Sequence, residues 1–414
     1  MKFDTIIIGG GLAGLLAGIR LLENGKKVAI VSAGQSALHF CSGSFELLGR
    51  LGGKFVERPF EAIDSLPAAH PLKKMGRKRA EEYTRQFIDL MKRAGIELQG
   101  DPERNSWRLS PVGLIKPSWL TLPDHLTFTN PHTLPFGSAA IINVYGYIDF
   151  YPQFIAAGLS KRGVKSVIST YDTPGIAHLR KSSTEMRSST IARVLNDEDL
   201  EEIADQLNEK SRDCEVILTP AVFGLYSEEP LRQLRDLCDR PLWMVPTIPA
   251  NVPGVRTQLM LRERFQRLGG EYLLGDTALR GDFRNGRLKR IYTYNLGEMP
   301  LEADTFVMAS GSFFSNGIRA NMEKIYEPVL GLDVSLHGGR TQWYDKDFYA
   351  PQPYEKCGVT TDDALHPSLL GKPVENIYAV GSLLAEADSL SEMSGAGVTM
   401  VTSLHAASEI LGNN

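Results

Sequence analysis

The chain has 414 residues, enough for two or three structural units around a large core. Apolar content of 43%, charged content of 23% and a net charge of −4 describe a soluble globular protein and give no electrostatic case for nucleic acid. The four cysteines, Cys41, Cys214, Cys238 and Cys357, form no Cys-x-x-Cys pair. Zinc, iron–sulfur and thioredoxin-like chemistry are therefore not expected, nor is any other metal site.

In chain order, Phe3–Ile8 reads as an apolar strand, Gly9-Gly10-Gly11-Leu12-Ala13-Gly14 as a Gly-x-Gly-x-x-Gly turn, and Leu15–Leu22 as a helix. A second strand follows at Val28–Val31. This order, in a unit of about thirty residues, is the context a dinucleotide site requires. Gly9 allows the turn, Gly11 lets a pyrophosphate approach the backbone, Gly14 lets helix and strand pack, and the N–H groups at Leu12 and Ala13 face the phosphate. A ribose-binding Asp or Glu is expected about twenty residues on. Ser32-Ala33-Gly34 stands there instead, and no carboxylate follows before Glu46. Ser32 can accept from a ribose hydroxyl only without charge assistance. That points to a weak adenosine site or to FMN, with FAD as the alternative.

The basic cluster Lys73–Arg79 reads as a solvated face leading into an amphipathic helix over Arg79–Ala94, with a strand at Ile96–Leu98. Short strands and Pro-rich turns then mark an inserted unit. It includes a strand at 139–144, a helix near 150–162 and a strand at 166–169. The acidic run Asn196–Glu202 is expected to open a helix, where carboxylates suit the dipole. Beyond Pro253 an Arg-rich helix ends at Gly269-Gly270, a strand covers Glu271–Leu274, and Asn285-Gly286 forms a hairpin turn. Apolar strands end at Ala309-Ser310-Gly311 and at Gly381-Ser382. Gly395-Ala396-Gly397 opens a last helix. The predicted class is α/β: a Rossmann-like domain over residues 1–106, 246–320 and 352–414, with an α+β cap or substrate domain over 107–245 and 321–351.

Glycine turn, Ser310-Gly311 and Gly381-Ser382 occur in the order found in flavoproteins with two dinucleotide-binding domains. In those proteins the late motif contacts the ribityl chain, and the helix after it faces the reduced ring. Ser382 replaces their usual Asp, which again weighs toward FMN. No second glycine motif exists for a nicotinamide.

The strings Gly34-Gln35-Ser36-Ala37-Leu38-His39-Phe40-Cys41-Ser42-Gly43-Ser44, Phe348–Pro353 and Gly358-Val359-Thr360-Thr361-Asp362 are more specific than the fold. On them the chain resembles the B subunit of the anaerobic glycerol-3-phosphate dehydrogenase. The resemblance implies FMN, a second flavoprotein subunit as partner, and an iron–sulfur subunit that anchors the pair at the membrane. It also implies oxidation of sn-glycerol 3-phosphate to dihydroxyacetone phosphate, with electrons passed to quinone. A cytoplasmic protein, peripheral at the inner face of the membrane through its partner, is expected. Ser42 and Gly43 should lie near the flavin ring, as the equivalent loop does in related flavoproteins. His39 is a candidate base for the alcohol proton; a loop histidine capping backbone is the plainer reading. Arg256 and Arg340 are candidates for phosphate recognition. A self-sufficient fumarate reductase-like enzyme and a non-catalytic subunit with a decayed site are the competing readings.

Overall fold

The structure is a computed structural model and describes residues 1–182, 184–335 and 338–412. The chain divides into two compact units, one of Met1–Ala37, Glu46–Gly95 and Leu261–Asn414, the other of Leu38–Phe45 and Ile96–Met260. We call them the host and the insert.

Along the chain, β1 (Lys2–Ile8), α1 (Leu12–Glu23) and β2 (Val28–Ser32) come first, followed by α2 (Pro71–Arg93). The insert then supplies β3 (Ser138–Val144), α3 (Pro152–Ser160), β4 (Lys165–Tyr171), α4 (Asp197–Lys210), β5 (Val216–Pro220), α5 (Glu229–Leu237) and β6 (Leu242–Val245). Helix α6 (Val252–Arg267) carries the chain back to the host. There β7 (Glu271–Leu274), β8 (Ala278–Arg284), β9 (Arg287–Thr293), β10 (Leu301–Met308), β11 (Ile377–Ala379) and α7 (Gly395–Leu411) follow.

The host sheet has seven strands in the order β7-β2-β1-β10-β9-β8, with β11 also on β10. β7, β2, β1, β10 and β11 are mutually parallel, and Ile8 lies opposite both Val31 and Met308, while Met308 lies opposite Ala379. The C-terminal ends of these strands therefore share one edge, where ligands bind in open α/β sheets. β8 and β9 are the antiparallel hairpin foreseen at Asn285-Gly286, both residues at positive φ. β1 ends in the apolar run Ile6–Ile8 because its sheet is covered there: Ile6 and Ile7 are fully buried. Gly18 of α1 admits the Phe265 ring, which would lie 2.7 Å from a Cβ placed there.

The insert's principal sheet is also parallel, β4-β3-β5-β6, built by helical crossovers around its own apolar core. Antiparallel strands are confined to Ser106–Leu109 with its neighbours Ile115–Ser118 and Thr127–Phe128, and to Ser44–Phe45 paired with Leu120–Thr121. Asn196 caps α4 in a capping box with Asp199, as the acidic run suggested.

Several boundaries differ from expectation. Helix α2 starts at Pro71, eight residues early, and Gly76, at φ +74° and ψ 161°, breaks it with a kink between a short first segment and the expected amphipathic helix. His70 caps it, accepting from the Leu72 amide at 3.1 Å. Residues 96–98 are irregular, and sheet-like pairing begins at Gln99 with Thr121. That pairing puts 96–106 in the insert. Residues 246–260 join it too, since Asn251 donates its amide to the His39 carbonyl at 2.9 Å. Residues 321–351, expected in the cap, belong to the host: Arg319–Ala320 pairs with Ile325–Tyr326, and the Asp333 carboxylate accepts from the Leu370 and Gly371 amides.

Candidate functional site

The host brings the glycine turn and the two later small-residue turns together at the edge where its parallel strands end. Gly9 has φ +117°, and a Cβ there would collide with the Ala309 carbonyl. Gly14 lies against the Gly9 carbonyl. These two glycines serve the close seating of α1 and β10 on the turn. Gly11 differs: a Cβ there meets Ser36 at an ordinary 3.5 Å, so its glycine is not demanded by packing. Gly11 is also the N-cap of α1, and it supplies no side-chain cap to the helix among the described residues. The first-turn amides, at Leu12 and Ala13, are of the kind a phosphate satisfies.

Gly381 has φ +70°, donates its amide to Thr402 Oγ1 at 3.0 Å, and would place a Cβ 3.1 Å from Ala13 Cβ. Gly311 has φ +85°, and a Cβ there would lie 3.6 Å from Ser382 Oγ. Gly9, Gly11, Leu12, Ala13, Gly14, Ser32, Gly311, Gly381 and Ser382 thus belong to one edge of one sheet. The N-terminus of α7 carries Ser394 as its cap residue, without a side-chain cap bond among the described residues. Ser394 donates instead to Glu392 Oε2 at 3.0 Å. That carboxylate also accepts from His70 Nε2 at 3.0 Å, because His70 Nδ1 is already an acceptor. Gly395 meets Ser389 at 3.5 Å, so that side of the helix start has room. Gly397 does not fit its expected cofactor role: a Cβ would strike the Leu47 carbonyl, and its amide donates to the Glu46 carbonyl at 2.9 Å. It is a packing glycine.

Ser42 and Gly43, expected near the flavin, belong to the insert and are held by its buried polar groups. Arg108 Nη2 donates to Ser42 Oγ at 2.7 Å, and His125 Nε2 contacts the Ser42 carbonyl. Gly43 has φ +84°, and a Cβ would lie 2.7 Å from Pro253 and 3.2 Å from His125 Nε2. His39 sits in a short 3₁₀ turn, Ala37–Phe40, and is 7% exposed. Burial pushes the His125 imidazole below its ordinary pKa, with Arg108 adding to the effect and Asp124 opposing it.

Arg256 is not available as a phosphate receptor. It is 1% exposed and its guanidinium pairs with Asp124, itself 1% exposed. It also donates to the Gly224 carbonyl at 2.8 Å. Burial alone would raise the Asp124 carboxyl, but Arg256, His125 and Arg235 outweigh it and hold the group below the usual carboxylate range. A long polar side chain at the start of an apolar-flanked helix looks the same in sequence whether it meets a ligand or an internal partner. Arg340 is exposed, in the host, and donates to the Met322 carbonyl at 3.0 Å.

Sequence reasoning missed Arg108, the adjacent pair Asp124-His125, His70 with Glu392, and Tyr272. Only Asp124-His125, two ionisable residues in a row after a proline, carried a local signal. Tyr272 Oη donates to the Gly10 carbonyl at 2.9 Å, at the turn itself.

Comparison with known proteins places this geometry in context. Residues 4–398 match the family of FAD binding domains. That description names FAD and gives no support to FMN, the flavin expected from Ser32 and Ser382; a flavin is what it shows. The glycine turn fits such a group on its own terms, through the roomy Gly11 and the uncapped start of α1. The chain is 40% identical, over 99% of its length and 98% of the relative's, to the B subunit of anaerobic glycerol-3-phosphate dehydrogenase from Yersinia pseudotuberculosis. It is 37% identical to the protein of that name in Pectobacterium atrosepticum, over 99% of both chains. A solved structure of 3-ketosteroid Δ1-dehydrogenase from Sterolibacterium denitrificans is similar over 100% of both chains at 12% identity, with a TM-score of 0.46.

Proposed function

The chain belongs to the family of FAD binding domains and to that of the anaerobic glycerol-3-phosphate dehydrogenase B subunits, and on that footing we propose that it is one flavoprotein subunit of such a dehydrogenase. It oxidises sn-glycerol 3-phosphate to dihydroxyacetone phosphate, with the electrons passed on toward quinone. The observation that carries this is the near full-length identity of about 40% together with the glycine turn whose Gly11 is open to a phosphate.

A bound flavin supplies the hydride acceptor. The chain's own residues bind, orient and move a proton. The amides of Leu12 and Ala13 at the head of α1 bind the flavin's phosphate, and the dipole of α1 favours its charge. The start of α7, braced through Ser394, Glu392 and His70, offers a second positive helix end at the same sheet edge. That helix end would favour negative charge on a flavin held beside it. The segment Ser42-Gly43, fixed by Arg108 and His125, is assigned to the ring's surroundings. His39, on the same segment, is assigned to take the substrate hydroxyl proton as the carbon loses hydride. Of the two arginines considered, Arg340 presents the exposed guanidinium for the substrate phosphate.

Among the described residues no helix is long and apolar enough to cross a membrane. The four cysteines are dispersed in sequence, and no group of His, Cys, Asp and Glu among the described residues could hold a metal. We therefore assign the path to quinone to two partners: another flavoprotein chain, and an iron–sulfur protein at the inner face of the membrane. That the relatives are themselves named as one lettered subunit of a dehydrogenase supports this. The test compares the purified chain with the chain coexpressed with those partners. The isolated chain should absorb as a flavoprotein in the visible and fail to reduce a soluble quinone with glycerol 3-phosphate, whereas the assembly reduces it. Robust quinone reduction by the isolated chain overturns the subunit reading. Chromatography of the cofactor released on denaturation decides between FAD, named by the family, and FMN.

A further inference from the structure

We propose that loop 344–354 of the host is the face on which the second flavoprotein chain docks, with Phe348 and Tyr349 as its two anchors. The proposal rests on the subunit reading above and adds the surface through which the assembly forms. The loop lies between β10 and β11, and no role assigned so far uses the aromatic string within it. Phe348 is 85% exposed and Tyr349 is 92% exposed. Their rings meet edge-on, with centroids 5.4 Å apart, and stand in water together. Tyr344, on the same loop, is more than half exposed, and so is Met322. The Met322 carbonyl accepts from Arg340 at 3.0 Å, which places it at the foot of the loop. With the partly open Tyr354, these side chains leave on the order of 600 Å² of mostly apolar surface. That is the top of the range of roughly 300–600 Å² for the largest patch on a monomer. It is also most of the roughly 800 Å² that one partner gives to a stable interface.

The loop is braced from within. Gln352 reaches back across it: its Oε1 accepts from the Asp345 amide at 2.9 Å, and its Nε2 donates to the carbonyls of Asp347 and Ala350 at 3.0 Å each. The Asp345 carboxylate accepts from the Asp347 amide at 2.8 Å, and the Asp347 carboxylate from the Tyr349 amide at 2.9 Å. At the base the Tyr354 amide donates to the Trp343 carbonyl at 2.8 Å, and the Tyr354 ring meets Phe313 edge-on at 5.7 Å. Aromatic side chains have few rotamers to lose, and this backbone has little left to order, so docking retains most of the gain from burying the two anchors. Exposed aromatics on a preformed loop have the character of an interface hot spot. Charge narrows the occupant. Asp345 and Asp347 flank Lys346 just before the anchors, so the tip carries a net negative charge. An anionic lipid surface repels such a tip, and an iron–sulfur chain at the membrane would bring it toward one. A second copy of this chain would set two like tips against each other. The other flavoprotein chain meets neither objection. It should present an apolar cleft with Lys or Arg at its rim.

The measurement purifies the full chain and the other flavoprotein chain separately and titrates one into the other by calorimetry. Phe348→Ser and Tyr349→Ser should each raise the Kd about thirtyfold, the scale of one hot-spot side chain. Both positions face water, so the isolated variants should keep the wild-type Tm and flavin content. Tyr294→Ser removes another exposed aromatic of the host and should leave the Kd unchanged. Sedimentation of the isolated chain reads self-association, and cosedimentation with vesicles of phosphatidylethanolamine and phosphatidylglycerol reads lipid binding; neither is expected. An unchanged Kd in both variants overturns the proposal, as does an equal loss in Tyr294→Ser. It is equally overturned if the two substitutions weaken only a dimer of this chain, binding to vesicles, or a complex with the iron–sulfur chain. Wild-type chains that form no complex at all would bring down the subunit reading itself, a separate outcome.

Discussion

Replacing Asp124 with alanine should cost the insert about 3–5 kcal/mol, because it strands the Arg256 guanidinium in a site that admits almost no water. The carbonyls of Gly224 and Phe223 remain as acceptors, at 2.8 and 3.4 Å, and hold the cost below full Born desolvation. Arg235 works the other way. It donates to the Pro123 carbonyl at 2.7 Å beside Asp124, so the variant leaves two cations facing each other without their shared anion. Glu228 is the group able to respond. Burial pushes its carboxyl up to about 7, Arg256 pulls it down and Asp124 adds to the rise. Losing Asp124 lowers that pKa, so at pH 8 an ionised Glu228 offsets part of the charge, whereas at pH 5.5 it stays protonated. The penalty should therefore be larger at pH 5.5 than at pH 8. For the insert, Leu38–Phe45 and Ile96–Met260, melting as its own unit, the loss corresponds to a fall in Tm of roughly 6–20 °C. Calorimetry at both pH values reads it. The double variant Asp124→Leu/Arg256→Met removes both charges and should recover most of the stability, as apolar replacement of buried ion pairs does elsewhere. It should also leave the KM for glycerol 3-phosphate unchanged in the assembled enzyme. A Tm shift below about 2 °C in Asp124→Ala, or a double variant that folds well yet binds substrate poorly, would refute the assignment of Arg256 as an internal partner.

Two further outcomes follow from the same geometry. Gly11→Val should abolish flavin binding with little change in Tm, since the space beside Gly11 is open to a side chain, whereas Gly14→Val should destabilise the host because it strikes the Gly9 carbonyl; visible absorbance and thermal melts separate the two, and a flavin-replete Gly11→Val would sink the phosphate assignment. Glu228→Gln should leave stability unchanged at about pH 3, below the ordinary glutamate value, where the acid is protonated both folded and unfolded. It should stabilise increasingly as pH rises, because the unfolded chain ionises first, and the gain should be complete above about 7; a gain that does not vary with pH contradicts the raised pKa.

The host's first βαβ unit was legible because period, glycine spacing and strand apolarity agree within thirty residues. The capping box at Asn196 and the hairpin at Asn285-Gly286 were legible for the same reason: each is a contact between neighbours. What escaped was long-range. Ile96-Glu97-Leu98 alternates like a strand but lacks a partner edge, and pairing starts only at Gln99. The Arg256–Asp124 pair spans 132 positions, and neither residue's surroundings announce burial. Tyr272 sits in a short strand whose apolar look hides a hydroxyl that reaches the glycine turn. The missing carboxylate after β2 was visible, but the tyrosine whose hydroxyl bonds the Gly10 carbonyl lies 262 positions further along the chain.

The excursion of Leu38–Phe45 into the insert fixes an order of assembly. Every residue of the insert has been made once Met260 is added and clears the ribosome a short stretch of chain later, and its N-terminal contribution has by then been waiting since about the first tenth of the chain. The host at that moment owns β1 and β2 but lacks β10, which pairs with β1, and α7, which closes its end. During synthesis the interrupting unit can therefore reach its native contacts before the unit it interrupts. The early strands β1 and β2, apolar and without their neighbour, are the stretch of nascent chain most in need of a chaperone's cover.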